Sequence, residues 1–141
     1  MDAKELCLIC VLLLICGSDA MSRQQLKKTG KMLKNTCVKK IGVAEDMIST
    51  IEQGNFIEDP KVMCYIACIL EMSSVVKNNK INYEASMKQI DMMYPPELKE
   101  SAKASATSCK DVQKKYKDLC EASYWTAKCI YEFKPEDFVF A

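Results

Sequence analysis

The sequence predicts a small all-α domain that is cross-linked by disulfide bonds. Apolar residues recur at helical spacing along most of the chain, and no long run alternates apolar and polar residues. The chain has 141 residues, of which 49% are hydrophobic, so it suits one domain with one interior. Nine cysteines are present, and their number and spacing indicate how the domain is cross-linked.

The first 20 residues are typical of a secretory signal peptide. Lys4 precedes an apolar run over residues 6–16, and the small residues Ser18 and Ala20 follow it. The run is well below the about 20 residues that span a bilayer, so cleavage after Ala20 is favoured over a membrane anchor. We predict a signal peptide over residues 1–20, a domain over residues 21–141, and a secreted, extracellular protein.

Removal of the signal peptide leaves six cysteines, and an even set in a secreted chain indicates a disulfide framework. Cys64 and Cys68 lie four residues apart, so they share one helix face and are poorly placed to bond each other. Cys120 and Cys129 lie nine residues apart and point to opposite sides of a helix, so they should bond two different partners. Spacing alone leaves the pairing open, because six cysteines permit 15 connectivities.

The first helix is predicted to begin at Ser22, which forms a capping box with Gln25. A short second helix is expected over residues 42–55 and should end near Gly54. The third helix begins at Asp59 and Pro60 and is apolar on most sides, so it should be the buried centre of the fold. The apolar positions that define the first two helices are Leu26, Leu33, Cys37, Met47, Ile48 and Ile51.

Three more helices follow a turn at "KNNKIN". The fourth carries Met87, Ile90 and Met93 on one face, the fifth opens at Pro95 and Pro96, and the sixth is expected to start at Asp111. The last eight residues, "KPEDFVFA", carry the apolar residues Phe138, Val139 and Phe140 but are too short to form a helix with its own core. We therefore expect this segment to be buried against other elements.

The composition argues against several classes of function. The chain has no histidine, which excludes Ser-His-Asp and Cys-His catalysis, His-ligated zinc sites and His-dependent phospholipases. Paired carboxylates of a glycosidase remain open, but the adjacent pairs at residues 45–46 and 136–137 fit solvated positions better. A net charge of +1 and scattered lysine pairs do not favour nucleic acid as a partner. We expect no enzyme activity, no cofactor and no metal.

The cysteine spacing C-x26-C-x3-C-x40-C-x10-C-x8-C resembles that of the six-cysteine insect odorant-binding proteins, the pheromone and general odorant-binding protein family. The sequence segments "CYIAC", "YPPEL" and "CEASYWTAKC" add to the resemblance, which covers residues 22–141. It implies six disulfide-linked helices that enclose an apolar cavity. It also implies a carrier of odorants, pheromones or related lipophilic molecules in extracellular fluid such as sensillar lymph. The implied disulfides are Cys37 to Cys68, Cys64 to Cys120 and Cys109 to Cys129.

The resemblance also implies partners and a ligand site. The partners are a small hydrophobic ligand and a membrane receptor, with the chain acting as a monomer or weak homodimer. Each cavity residue also fits a plain core position, and a secreted module that binds a protein or a membrane surface remains the alternative. The implied ligand-binding residues are Leu33, Ile66, Leu70, Ser73, Val75, Met87, Ile90, Met93, Ala102, Ala106, Ser123 and Ile130, with Phe138 and Phe140 from the C-terminal end.

The short C-terminal end resembles those family members in which the C-terminus forms part of the cavity wall. Without histidine, any pH response would rest on carboxylates, including the Ala141 terminus, which would bond Tyr65 or a basic group when ionised. A ligand affinity that is equal at pH 7 and pH 4.5 would contradict this hypothesis.

Overall fold

The structure, a computed structural model, describes residues 21–141, so the predicted signal peptide lies outside the described residues. Five α-helices and one short hairpin are present in this range, which confirms the all-α fold class. None of the helices in residues 21–141 is long and apolar enough to cross a membrane. The elements are α1 (Arg23–Ile41), α2 (Pro60–Met72), β1 (Val76–Lys77), β2 (Lys80–Ile81), α3 (Tyr83–Met93), α4 (Pro96–Cys109) and α5 (Leu119–Phe133).

Side-chain caps fix where the first helices begin. The Ser22 amide donates to Oε1 of Gln25 at 2.8 Å and the Gln25 amide donates to Oγ of Ser22 at 3.2 Å, so the predicted capping box is confirmed. Asp59 accepts a hydrogen bond from the Lys61 amide at 2.8 Å, and Pro60 occupies the first turn of α2. These two starts were readable from the sequence because the cap residues lie next to their helices.

The predicted second helix is wrong. Residues 42–55 form two separate 3-10 turns, Glu45–Met47 and Ile51–Gln53. Ser49 and Thr50 lie between the turns, and such residues compete with helical bonding through their own side chains, as Thr50 does by accepting from Asn55 at 2.9 Å. The predicted end at Gly54 is confirmed, because its φ of 89° is left-handed and a Cβ there would lie 2.4 Å from a ring carbon of Tyr131.

The start of the sixth predicted helix is also wrong. Asp111 precedes a short 3-10 turn, Val112–Lys115, and the helix itself, α5, begins only at Leu119. Asp118 is the effective cap, because its Oδ1 accepts from the Glu121 amide at 3.0 Å. The six predicted helices therefore become five α-helices and short 3-10 turns within residues 21–141.

The predicted turn at "KNNKIN" is an antiparallel hairpin in which Val76 pairs with Ile81. Asn78 and Asn79 form its tip with φ values of 51° and 58°, the left-handed pair that two-residue hairpin turns require. The side-chain amide of Gln113 extends the hairpin, since it accepts from the Ile81 amide at 2.9 Å and donates to the Ile81 carbonyl at 2.7 Å. The hairpin is thereby held against the chain that leads into α5.

Helix α2 is the centre of the fold, as the sequence predicts. Val62, Tyr65 and Ile66 are fully buried, and α2 packs against both α1 and α5. Three disulfides fix this arrangement: Cys37–Cys68 joins α1 to α2, Cys64–Cys120 joins α2 to α5, and Cys109–Cys129 joins α4 to α5. The pairing is the one that the resemblance implies.

Candidate ligand-binding cavity

A cavity of about 240 Å³ lies between α1, α3, α4, α5, the end of α2 and the C-terminal segment, residues 134–141. Its wall is mainly apolar. Side chains that line a cavity of this kind make contacts with a small apolar molecule and exclude water from it. The fold therefore leaves a chamber on one side of its central helix.

Most of the residues expected at the ligand site do line this cavity. They come from six separate segments, which are α1, the end of α2 with the residues after it, α3, α4, α5 and the C-terminal segment. They are Leu33, Leu70, Ser73, Val75, Ile90, Met93, Ala102, Ala106, Ile130, Phe138 and Phe140.

Three expected residues do not line the cavity. Ile66 is fully buried in the core cluster that surrounds α2. Met87 lies about 100° around α3 from Ser86, which does face the cavity. Ser123 shares a face of α5 with Ile130 but lies nearer the helix start, where the packing is solid and its exposure is 0%. For these three, a shared helix face or a central position was not sufficient to predict contact with the cavity.

The sequence reasoning missed several polar side chains on the wall, of which Gln89, Tyr94 and Thr126 matter most. Gln89 precedes Ile90 and follows Ser86 by three positions, so the helical period alone would have placed it beside them. Thr126 lies four residues before Ile130 on the same face of α5. Apart from Ser73 and Ser123, the residues expected at the ligand site were all apolar, so these three were missed.

The C-terminal segment forms one side of the cavity. Phe138 is buried, and its ring stacks on that of Phe140 at a centroid distance of 5.8 Å. The Tyr65 hydroxyl donates to the Ala141 oxygen at 2.7 Å, and burial raises the pKa of Tyr65. A Cβ placed on Gly30 would lie 3.4 Å from the Ala141 Cα, so the segment ends directly against α1. The expectation that this segment is buried holds for its end: Phe138 is buried and residues 139–141 are half-buried, whereas residues 134–136 are exposed.

An ion pair holds the base of this segment. Nζ of Lys134 lies 2.6 Å from Oδ2 of Asp137, and both residues line the cavity. Hydrogen bonds from Lys134 and Ser101 lower the pKa of Asp137 below its ordinary value of 3.8. This carboxylate therefore stays ionised well into the acidic range.

The hydrogen-bonding state of the polar wall residues divides them into two sets. Ser73, Ser86 and Ser105 each donate to a carbonyl of their own helix region, at 2.8, 2.9 and 2.9 Å. Oε1 of Gln89 and Oγ1 of Thr126 are buried and have no partner among the described residues. Two of the polar residues that line the cavity thus contain a buried atom without a hydrogen-bond partner among the described residues.

No cluster of three or more acidic, cysteine or histidine side chains within residues 21–141 is arranged to hold a metal ion. All six cysteines of this range are in disulfides.

Comparison with known proteins connects this architecture to one family. The model of the PBP/GOBP family matches residues 19–133 of the chain. The chain belongs to the PBP/GOBP family. General odorant-binding protein 72 of Anopheles gambiae is a relative of this family member, with 32% identity over 86% of the chain and 99% of the relative.

Two solved structures share the fold with this PBP/GOBP protein. Odorant binding protein 5 of Apis mellifera superposes with a TM-score of 0.78 at 28% identity, and odorant binding protein 4 of Chrysopa pallens with a TM-score of 0.77 at 32% identity. In both comparisons 86% of this chain and 99% of the solved chain are covered. Like its family, the protein is a carrier of small hydrophobic ligands and not an enzyme.

Proposed function

We propose that the protein binds one small hydrophobic ligand, an odorant, a pheromone or a related lipophilic molecule, inside the cavity and carries it through extracellular fluid. The mainly apolar cavity beside α2 is the observation that supports this proposal. An engineered cavity of about 150 Å³ accommodates benzene, so a chamber of this size suits a ligand on the order of ten non-hydrogen atoms.

The proposed ligand contacts are large apolar residues of the cavity wall. Leu33, Leu70, Ile90 and Met93 would contact the ligand from three helices, and Phe140 would close the chamber from the C-terminal segment. Burial of apolar ligand surface contributes about 25 cal/mol per Å², which is the main source of affinity that such a wall offers. Short polar side chains elsewhere on the cavity wall would orient the ligand.

Secretion is part of the proposal. Residues 1–20 would direct export and be removed, which leaves residues 21–141 as the carrier domain. Three disulfides are in keeping with an oxidising extracellular compartment. Expression in insect cells, followed by mass measurement of protein from the medium, tests this: a chain that begins at Met21 is expected, and retention in the cell membrane would contradict it.

We further propose that the carrier acts as a monomer or weak homodimer and releases its ligand near a membrane receptor. Sedimentation at the protein concentration used for binding tests the first statement. Binding to receptor-bearing membranes with and without ligand tests the second.

Displacement of an apolar fluorescent naphthylamine probe is the direct test of the carrier function. Small volatile ligands at micromolar concentration are expected to displace the probe from the wild-type protein. A protein that binds neither the probe nor ligands of any size would instead favour a module that contacts proteins or membrane surfaces. Vesicle sedimentation without ligand would then identify the membrane case.

A further inference from the structure

The segment Asn35-Thr36-Cys37 on α1 has the form of a glycosylation acceptor in which a cysteine occupies the third position. The usual acceptor is Asn-x-Ser or Asn-x-Thr, where the third side chain supplies a hydroxyl that exchanges hydrogen bonds with the transferring enzyme. A thiol also donates and accepts hydrogen bonds, although more weakly, so Asn-x-Cys is a weaker version of the same signal. The other asparagines of the chain lack this pattern. Two positions after them stand Ile57, Lys80, Ile81 and Glu84.

The folded protein has space for a glycan at Asn35. The Asn35 side chain is exposed, as are Lys31 and Lys39, which lie four residues away on the same face of α1. Leu33, which lines the cavity, lies two residues away and therefore points about 200° around the helix from Asn35. A glycan on Asn35 would thus extend into solvent and would not enter the cavity.

An exposed apolar side chain lies beside this position. Of the large hydrophobic residues that are exposed within residues 21–141, Met32 has the highest exposure, 66%. It precedes Asn35 by three residues, so the two side chains are neighbours on the surface of α1. A glycan on Asn35 would therefore cover part of an apolar side chain that otherwise faces solvent.

The disulfide framework closes the acceptor once the protein has folded. Cys37 is fully buried and bonded to Cys68, so its thiol is no longer present. Asn35 is held within α1, whose backbone hydrogen bonds prevent the segment from extending into an enzyme site. Glycosylation must therefore precede the formation of the Cys37–Cys68 disulfide.

The order of the chain provides an interval in which this is possible. Cys68 follows Cys37 by 31 residues, so at a synthesis rate of about 5–20 residues per second it emerges about 2–6 s later. Disulfide formation itself takes seconds or longer. Cys37 therefore enters a secretory compartment as a free thiol, before its partner arrives.

We infer that Asn35 is an N-glycosylation site that is occupied in a fraction of the chains, and that the pairing of Cys37 with Cys68 limits this fraction. The inference rests on the proposed secretion. The donor is a lipid-linked oligosaccharide diphosphate. Nδ2 of Asn35 forms a bond to C1 of the first sugar while the bond from C1 to the diphosphate breaks. The lipid diphosphate leaves with the electron pair, and the amide proton passes to solvent.

The Cys37 thiol is not consumed in this reaction. A glycosylated chain therefore still forms the disulfide afterwards, by exchange with the disulfide of an oxidoreductase, which is reduced to its dithiol. A chain in which Cys37 and Cys68 pair first has lost the acceptor thiol. The two reactions thus compete, and both a glycosylated and an unmodified protein should be secreted.

The test begins with the full chain expressed in insect cells. The medium is expected to contain two forms, and a peptide N-glycosidase should convert the heavier form to the lighter one and leave aspartate at position 35, which peptide mass spectrometry locates. Asn35→Gln should abolish the heavier form. Asn55→Gln is the matched control, because Asn55 is also exposed but lacks the acceptor pattern, so the glycosylated fraction should not change.

Two cysteine variants separate the role of the thiol from the loss of the disulfide. Cys37→Ala and Cys68→Ala remove the same disulfide, but only Cys68→Ala keeps the acceptor thiol. Translation of the full chain into microsomes under oxidising conditions measures glycosylation before folding, so a variant that does not fold still gives a result. The glycosylated fraction should rise in Cys68→Ala and be lost in Cys37→Ala. Cys37→Thr supplies a hydroxyl and should give the highest fraction.

Three results would count against these statements in different ways. A wild-type protein that is secreted without a glycan on Asn35 would overturn the inference and leave the proposed secretion intact. An equal glycosylated fraction in wild type and Cys68→Ala would overturn the competition with the disulfide. A chain that does not enter the microsomes would contradict both the inference and the proposed secretion.

Discussion

Filling the cavity with a side chain should stabilise the protein and weaken ligand binding at the same time. Ala106 lines the cavity from α4, and Ala106→Leu adds three carbon atoms to its wall. At ~0.8 kcal/mol for each buried carbon group, the free energy of unfolding should rise by about 2 kcal/mol. An upper limit of about 6 kcal/mol follows from 24 cal/mol per Å³ applied to the cavity of 240 Å³.

The assay measures both consequences on the same protein. Thermal unfolding without ligand should shift upward by about 8 °C, taking roughly 4 °C per kcal/mol for a domain of this size. Probe displacement should show weaker binding of ligands that use the full chamber. Ala104→Leu is the control, because Ala104 is exposed on the same helix, so both its stability and its ligand affinity should stay near those of the wild type.

Two outcomes would refute the reasoning. Destabilisation of Ala106→Leu by about 1–3 kcal/mol is the signature of overpacking and would mean that the chamber is filled in solution. Increased stability with unchanged ligand affinity would mean that the ligand binds elsewhere.

Three further predictions test the segment that closes the cavity and the turn before α2. Tyr65→Phe removes the hydrogen bond to Ala141, worth about 0.5–1.5 kcal/mol, so stopped-flow release of ligand should be faster; an unchanged rate would contradict this. Asp137→Asn removes the ion pair with Lys134. Because the folded-state pKa of Asp137 is lowered, the ion pair stabilises the fold at pH 7, and this stabilisation disappears as the pH falls through that pKa. Urea unfolding should show a constant difference from wild type down to about pH 5 that then shrinks as the pH falls through the lowered pKa, and a difference that stays constant on acidification would oppose the assignment. Gly54→Ala should cost about 1–3 kcal/mol in the same assay, because Gly54 is left-handed and faces a tyrosine ring; no loss would exclude that strain.

Local sequence signals predicted the helices whose ends are set by neighbouring residues. The capping box at Ser22 and the cap at Asp59 are contained within a few residues, and both elements begin where expected. The prediction of the second helix was wrong because the helical spacing of its apolar residues does not show that the Thr50 side chain bonds to Asn55. The start of α5 failed because two aspartates, Asp111 and Asp118, could both cap a helix, and only tertiary contacts select the second.

The cavity was predictable in outline and not in its polar detail. The resemblance named most of the apolar wall, since apolar helix faces turn towards one interior. Whether a side chain lines the cavity or packs in the core depends on where neighbouring helices cross. Ile66 and Leu70 lie on the same helix, yet Ile66 is in the core and Leu70 lines the cavity. The unsatisfied state of Gln89 and Thr126 depends on the absence of partners across the chamber, and no local sequence pattern carries that information.

The placement of the cross-links explains how a fold with a hollow side keeps its shape. Loops of 31, 56 and 20 residues are closed by the disulfides, and each closure contributes about 3–4 kcal/mol by restricting the unfolded chain. They join α1, α2, α4 and α5, but α3 carries no cysteine. Helix α3 is instead held by weaker contacts, including the hydrogen bond between Tyr83 and Thr107 at 2.8 Å. Because α3 also supplies Gln89 and Ile90 to the cavity, a bound ligand adds contacts to the helix that the covalent framework leaves least constrained.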